Sequence, residues 1–372
     1  MHEGRRHSTV ELLDGSEVLD RASIKTVPHS LDKTRERLLA AASTMPARRL
    51  LLQLNGVNPP SLPASPPRPV PPVRLSPAVK LRNMAGRVLR ETWEEQWRVG
   101  ILEQSASELV SRPEASRIQW LPPRRHGYHA DPFGQPGDDG LILAEAYDYS
   151  ERLGYLVAID RDGRERTVLR EPFHLSFPQI IEHQGQRWLL PEAKAAGLVR
   201  LYRPDPWPER FVPGPVLIEE LAAADPTLYR DEQGFWLFAG DGAGQDETTL
   251  VLYHAPDLLG PWRPHPMNPI KVDLGSARPA GPLFQTGGRL WRPAQDCRDT
   301  YGGAIVLNEV LTLSPDLYAE RPGPLLRPDP AGPCPHGLHT LTPFGDGFLV
   351  DGKREFRSMR RLAAGLRSLA RG

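Results

Sequence analysis

Residues 224–241, ADPTLYRDEQGFWLFAGD, carry two apolar runs separated by a polar, glycine-containing turn. Two such runs rich in aromatic and branched residues predict an antiparallel hairpin. The same plan recurs as ADPFGQPGDDGLILAEAY at 130–147, SFPQIIEHQGQRWLLPEA at 176–193, ARPAGPLFQTGGRLWRPAQD at 277–296 and LHTLTPFGDGFLVDGKR at 338–354. Aligning Asp131, Phe177, Asp225, Arg278 and His339 gives spacings of 46, 48, 53 and 61 residues, and segments such as GYLVAIDRDGRERTVLR supply further strands between them. A repeat of this period, with about four strands per unit, is the signature of propeller blades. The fold predicted is all-β: a five-bladed β-propeller over residues 113–355.

The composition agrees. The 372 residues include 41 Pro, 33 Gly, eight Trp and nine Tyr, which suits short strands and tight turns better than a helical bundle. Lys+Arg and Asp+Glu are both 46, so no net charge favours nucleic acid, and none is expected as a partner. The two cysteines, Cys297 and Cys334, are too few for a disulfide framework and show no zinc spacing. Neither a metal nor a cofactor is expected. The N-terminal stretch lacks the apolar core of a secretory signal, and no run of about 18 apolar residues is present, so a soluble, cytoplasmic protein is expected. Heavy use of Arg, Ala and Pro points to a GC-rich bacterial source.

Four flanking pieces complete the organisation. Residues 1–56 read as a small α/β unit: a hairpin about Asp14–Gly15, then a helix capped by Ser30 or Asp32 and broken near Pro46. About fifty residues bury a marginal core, so this unit is expected to lean on something else. Residues 57–78, with nine prolines between Pro59 and Pro77, form an extended linker. A helical lead-in is expected over 79–112, with Trp93 and Trp97 spaced by four. The end, 356–372, has Phe356, Met359, Leu362, Leu366 and Leu369 at helical spacing among arginines. It reads as a basic amphipathic helix, for which packing on the propeller and peripheral membrane contact are both open.

Blade geometry would gather chemistry in one place. The start of each first strand lies beside the end of the second, and equivalent ends converge on one mouth of the channel. Asp131, Phe177, Asp225, Arg278 and His339 should ring that mouth, with Glu145, Glu192, Asp241, Asp296 and Asp351 nearby and Gln295 beside Asp296. Proline after Asp131 and Asp225 predicts extended backbone at the acid, aiming it into the channel. Clustered carboxylates in a concavity suit sugars, because each binds hydroxyl pairs and mutual repulsion lifts one pKa toward general-acid duty.

The blocks EPFHLSFPQIIEHQGQRWLLPEA, ADPTLYRDEQGFWLFAGD, RPAQDCRDTYGGAIVLNEV and VDGKR, in that order, resemble the N-terminal domain of the glucosamine inositolphosphorylceramide transferase family. That domain is similar to five-bladed propellers of the furanosidase superfamily, and the likeness covers about residues 93–355. Residues 10–56 resemble the tail of a formyltransferase-like region, without its catalytic core. The resemblance implies that Asp131 is nucleophile or base and that Asp225 holds substrate hydroxyls and steadies the transition state. The acid glutamate of the superfamily falls where this chain has Arg278. Arginine cannot donate a proton near neutral pH, so Glu192 or Glu145 takes that role or hydrolysis is lost. Arg278 would instead suit a phosphate or carboxylate on the ligand.

The catalytic candidates are therefore Asp131, Glu192 and Asp225. Those for binding are Glu145, Asp241, Arg278, Gln295, Asp296, His339 and Asp351. The ligand expected is a sugar, sugar phosphate or glycolipid headgroup. Two readings stand: a carbohydrate-active propeller performing glycosyl hydrolysis or transfer, and a non-catalytic glycan-recognition module beside a transferase partner. In the resembled family glycosyl transfer falls to a separate C-terminal domain, for which these residues leave no room.

Overall fold

A computed structural model of the chain describes residues 7–27, 30–63, 93–135, 138–242 and 246–358. The linker beyond residue 63, the expected helix up to residue 92 and the C-terminal helix beyond Ser358 lie outside them.

The chain begins with the expected hairpin, β1 (His7–Asp14) and β2 (Glu17–Lys25), turning at Gly15 with φ +58°. Helix α1 (Leu31–Leu54) follows, and the Ser30 side chain accepts the Lys33 amide at its N-terminus. The break expected at Pro46 does not occur; α1 runs through it. Proline removes one helical hydrogen bond there, while Ala41 and Met45 stay fully packed against Ala22 and Ile24 of β2. As the length of this unit implied, it leans on the propeller. Val272 closes the same apolar cluster, and the Ser23 amide donates to Asp273 Oδ1 at 2.9 Å.

Next come β3 (Trp93–Leu102) and β4 (Ile118–Trp120). Blade one is β5 (Gly127–Gln135), β6 (Asp138–Asp148), β7 (Leu153–Ile159) and β8 (Glu165–Leu169). Blade two is β9 (Ser176–His183), β10 (Gln186–Glu192), β11 (Val199–Pro204) and β12 (Phe211–Ile218). Blade three is β13 (Ala223–Asp231), β14 (Gly234–Asp241) and β15 (Thr249–Ala255), with β16 (Arg263–Pro264) and β17 (Lys271–Val272) both on β15. Blade four is β18 (Phe284–Thr286), β19 (Arg289–Asp296), β20 (Ala304–Leu313) and β21 (Tyr318–Leu326). Blade five joins β22 (Gly337–Phe344) and β23 (Gly347–Arg357) to β3 and β4, in the order β22-β23-β3-β4. The five-bladed all-β propeller read from the repeats is the fold.

Blade five overturns the helical lead-in. WEEQWRVGIL carries apolar residues at helical spacing, but it also buries Trp97, Val99 and Leu102 as a strand. Ten registered pairs with β23, from Phe348–Leu102 to Arg357–Trp93, decide between the two. Only a short helix, Ala106–Ser111, remains of the expected one among the described residues. The strand also runs to Arg357, into the segment expected to begin the C-terminal helix.

Apolar faces lock each blade to the next. Leu143 and Leu189 meet between blades one and two, Leu190 and Leu237 between two and three, and Phe238 and Tyr318 between three and four. Trp291 and Phe348 join four to five; Leu349 and Ile142 close five onto one. Each buried side chain of this size contributes about 1.5–3 kcal/mol, so the ring rests on its apolar contacts and the channel is free to hold polar groups.

Candidate functional site at the propeller centre

A backbone irregularity shared by four of the five blades creates the site. In blade one the register jumps from Ala130–Glu145 to Phe133–Leu143, leaving Asp131 and Pro132 opposite Ala144 alone. Blade two repeats this at Phe177–Pro178, blade three at Asp225–Pro226 and blade five at His339–Thr340. Such bulges re-aim side chains. The extended conformation expected before proline is overturned: φ is +48° at Asp131, +51° at Phe177 and +46° at Asp225. Left-handed backbone at residues other than glycine costs of order 1–3 kcal/mol and persists where the surroundings over-determine it. Here the bulge, repeated in register, does so.

Asp131 and His339 belong to one hydrogen-bonded set. Asp351, fully buried, accepts His339 Nδ1 at 2.6 Å and the Thr340 amide at 2.9 Å on Oδ1, and the Asp131 amide at 2.8 Å on Oδ2. Asp131 Oδ1 accepts the Thr340 hydroxyl at 2.7 Å and lies 3.4 Å from His339 Nε2. The imidazole is stacked on Trp97, with ring centroids 3.9 Å apart. Burial opposes charge on His339, but Asp351 and Asp131 on either side outweigh it and raise its pKa to about 9. Burial, with Asp351 and Asp225, lifts Asp131 to about 6 against the pull of His339 and Thr340. At neutral pH the pair is an imidazolium beside an ionised, poised carboxylate.

The His339 shift has a consequence for stability. Its folded pKa exceeds the unfolded value of about 6.5, so its contribution is complete below that pH and is lost as pH rises through about 9. Stability should fall by up to about 3 kcal/mol between pH 6.5 and 9, read by urea unfolding, and one histidine ring should titrate near pH 9 by NMR. A flat profile with no histidine titrating above pH 8 would contradict the arrangement.

Asp225 anchors the second set. Arg278 donates to it twice, Nε to Oδ2 at 2.7 Å and Nη2 to Oδ1 at 3.1 Å, and Gln295 Nε2 adds a third bond at 2.8 Å. The Asp225 amide donates to Glu192 Oε2 at 2.7 Å, and Glu192 lies 3.8 Å from Arg278 Nη2. Arg278 Nη1 donates to Asp246, which also receives Lys194. Every nitrogen of the guanidinium is thus engaged by protein carboxylates, and Tyr301 covers it at 5.0 Å. The ligand phosphate or carboxylate expected on Arg278 finds those donors already taken. Lys353, with no exposed surface, fixes this cover by donating to the Tyr301 carbonyl at 2.7 Å and the Thr300 hydroxyl at 2.9 Å.

Glu145 differs from all of these. Its carboxyl is buried, and Oε1 has no hydrogen-bond partner among the described residues. His174 Nε2 approaches to 3.4 Å. The Gly154 amide donates to His174 Nδ1 at 3.1 Å, so the neutral ring, kept so by burial, carries its proton on Nε2. Only glycine permits this approach, since a Cβ at residue 154 would collide with both groups. Burial first, then Asp131, Glu192, Asp351 and Asp225, push the Glu145 carboxyl well above the carboxylate range. Its surroundings thus favour the protonated form. Tyr128 and Tyr147 lie at this end of the cluster, stacked with centroids 4.8 Å apart, and Tyr147 is 6.2 Å from His174.

Of the residues singled out from the sequence, Asp131, Glu145, Glu192, Asp225, Arg278, Gln295, His339 and Asp351 come together at the centre. Two do not. Asp296 closes on Arg298 two residues away. Asp241 pairs with Ala223, one step outside the place that Glu145 and Glu192 hold in their blades, which Gly240 takes. Thr340, Tyr301 and Asp246 went unread, whereas His174 in EPFHLSF stood out as a candidate ligand contact. Thr340 alone had a signal, as neighbour of His339 within the repeat.

Fold and centre define a five-bladed β-propeller whose channel is filled with ionisable groups. Residues 165–330 match the family model described as "Glucosamine inositolphosphorylceramide transferase 1, N-terminal". The rice (Oryza sativa subsp. japonica) protein named glucosamine inositolphosphorylceramide transferase 1 is 34% identical over 261 residues, covering 62% of this chain and 35% of the relative. The Arabidopsis thaliana protein of that name is 32% identical over 204 residues, covering 51% and 26%. The chain thus spans about a third of the length of these relatives. Both are plant proteins, which corrects the bacterial source inferred from composition. Among solved structures, a GH43_1 enzyme from Xanthomonas citri aligns at TM-score 0.42 and 16% identity over 62% of this chain and 87% of its own. A family 117 glycoside hydrolase from Zobellia galactanivorans aligns at 0.42 and 12% over 72% and 92%.

Proposed function

We propose that the centre binds a sugar, sugar phosphate or glycolipid headgroup and catalyses glycosyl hydrolysis or transfer. Asp131 serves as base or nucleophile and Glu145 as proton donor. The match to that family model and the likeness to the two plant proteins support a carbohydrate-related role. The observation that supports the chemistry is that two neighbouring carboxyls have opposite surroundings. Asp131 accepts the Thr340 hydroxyl and lies beside His339, whereas Glu145 is buried, has no hydrogen bond on Oε1 among the described residues and is pushed well above the carboxylate range. Carboxyls driven apart in pKa are the working parts of glycoside cleavage. Glu192 is a weaker donor candidate, because its Oε2 already accepts the Asp225 amide.

A second reading, glycan recognition without turnover, is favoured by Arg278, which the resemblance aligns with the superfamily's acid and which Asp225 consumes. Glu145→Gln separates the two. In an enzyme, the variant should lose at least ~10²-fold on glycosides with poor leaving groups and much less on activated aryl glycosides, which leave without protonation. Equal losses on both would remove Glu145 as donor. Glycan binding by wild type with no turnover of furanosides or hexosaminides would establish the recognition module.

A further inference from the structure

We propose a second ligand site, an anion-binding cavity where the N-terminal unit meets blades three and four, centred on Arg49 and built to take a phosphate group. The cavity holds about 250 Å³ between α1, the segment at Pro59–Pro63 and the outer strands of the propeller. Six cationic side chains line it against three acidic ones. Five of the six hold a carboxylate: Arg21 with Glu11, Arg48 with Asp20, Lys271 with Glu320, Arg298 with Asp296 and Arg321 with Glu309.

Arg49 does not. Only 9% of its surface is exposed, yet its one hydrogen bond among the described residues is Nη1 to the Pro59 carbonyl at 3.0 Å. Its Nε is buried without a partner among the described residues. A guanidinium cannot shed its proton, and a buried charge without a counter-ion is strongly unfavourable. The neighbours cannot swing across to neutralise it without abandoning partners of their own. Arg49 lines the cavity, and a phosphate bound there would supply its guanidinium with the counter-ion that no described residue provides. Leu52 and the proline rings give the remaining wall an apolar character, which suits an esterified phosphate as well as the free ion.

Bound there, a phosphate would tie α1 to the propeller and stabilise the folded chain in proportion to its occupancy. The test is thermal unfolding of the full chain titrated with inorganic phosphate or glycerol 1-phosphate, at constant ionic strength and with sulfate as reference. A saturable rise of several degrees is expected for wild type and none for Arg49→Met. In phosphate-free buffer Arg49→Met should be at least as stable as wild type, because it removes an uncompensated charge; a purely structural Arg49 predicts a loss. Saturation by the ester alone would identify an esterified group; by both probes, phosphate itself. Equal shifts in wild type and variant, or a non-saturating slope matched by sulfate, would mean an adventitious ion only and overturn the site. Should Arg49→Met not fold, calorimetric titration of wild type decides, and absence of 1:1 phosphate binding ends the proposal.

Discussion

Asp131→Asn is expected to abolish most turnover at the propeller centre, by at least ~10²-fold, while leaving the fold intact. The backbone is the reason for choosing asparagine. Asp131 sits at φ +48°, and asparagine tolerates left-handed backbone better than any residue but glycine. Its amide oxygen can still accept the Thr340 hydroxyl, so the hydrogen bond within the bulge survives. What disappears is the negative charge beside His339 and the lone pair that would take a proton or attack carbon. The pH dependence should point the same way: wild-type kcat/KM should drop as pH falls through about 6, where Asp131 takes up its proton. Kinetics on the substrate that wild type turns over, with urea unfolding as the control for structure, measure both. Activity within tenfold of wild type in a folded variant would exclude Asp131 as base or nucleophile.

Arg278→Met is expected to cost about 3–5 kcal/mol of folding stability, the range for breaking a buried ion pair by deleting one side. Three carboxylates depend on this guanidinium: Asp225 through two bonds, Asp246 through one and Glu192 across 3.8 Å. Lys194 can still serve Asp246, but Asp225 would keep only Gln295. The sign with pH follows. Without its cation, the buried Asp225 carboxyl is driven up in the folded variant, so that variant gains relative stability as pH falls and the deficit should shrink toward pH 5. Arg278→Met with Asp225→Asn should recover much of the loss at neutral pH, since it removes the stranded charge. Urea midpoints of wild type, both single variants and the double variant test this. A single variant within 1 kcal/mol of wild type would mean that Arg278 is not the counter-ion of the centre.

The blades were legible because each hairpin is local: alternating apolar runs, a glycine turn and an acid at the strand end all lie within about twenty residues. That locality carried eight of the ten residues singled out to the centre. What depended on distant pairing was not legible. Trp93–Leu102 satisfies a helical spacing and a strand spacing equally, and only β23, some 250 residues away, chooses between them. The left-handed turn at Asp131 and Asp225 comes from a two-against-one register, so the rule for residues before proline failed where tertiary pairing overrode it. Arg278 looked like a ligand hook because its own carboxylates come from three other places in the chain. Asp241 missed the centre by one residue, since a single step along a strand moves a side chain to the other face.

The pairing of β3 with β23 also governs when the site comes into being. Bringing residues near 102 and 348 together costs about 5 kcal/mol in loop-closure entropy, a cost that falls on the last seam of the ring. That seam holds the centre's own parts: His339 and Asp351 lie on β22 and β23, and Trp97 of β3 stacks on His339. An unclosed chain can form four blades and still have no imidazolium beside Asp131. Assembly of the pocket therefore requires closure of the ring, and nicking the seam should silence the centre while the other blades stay folded.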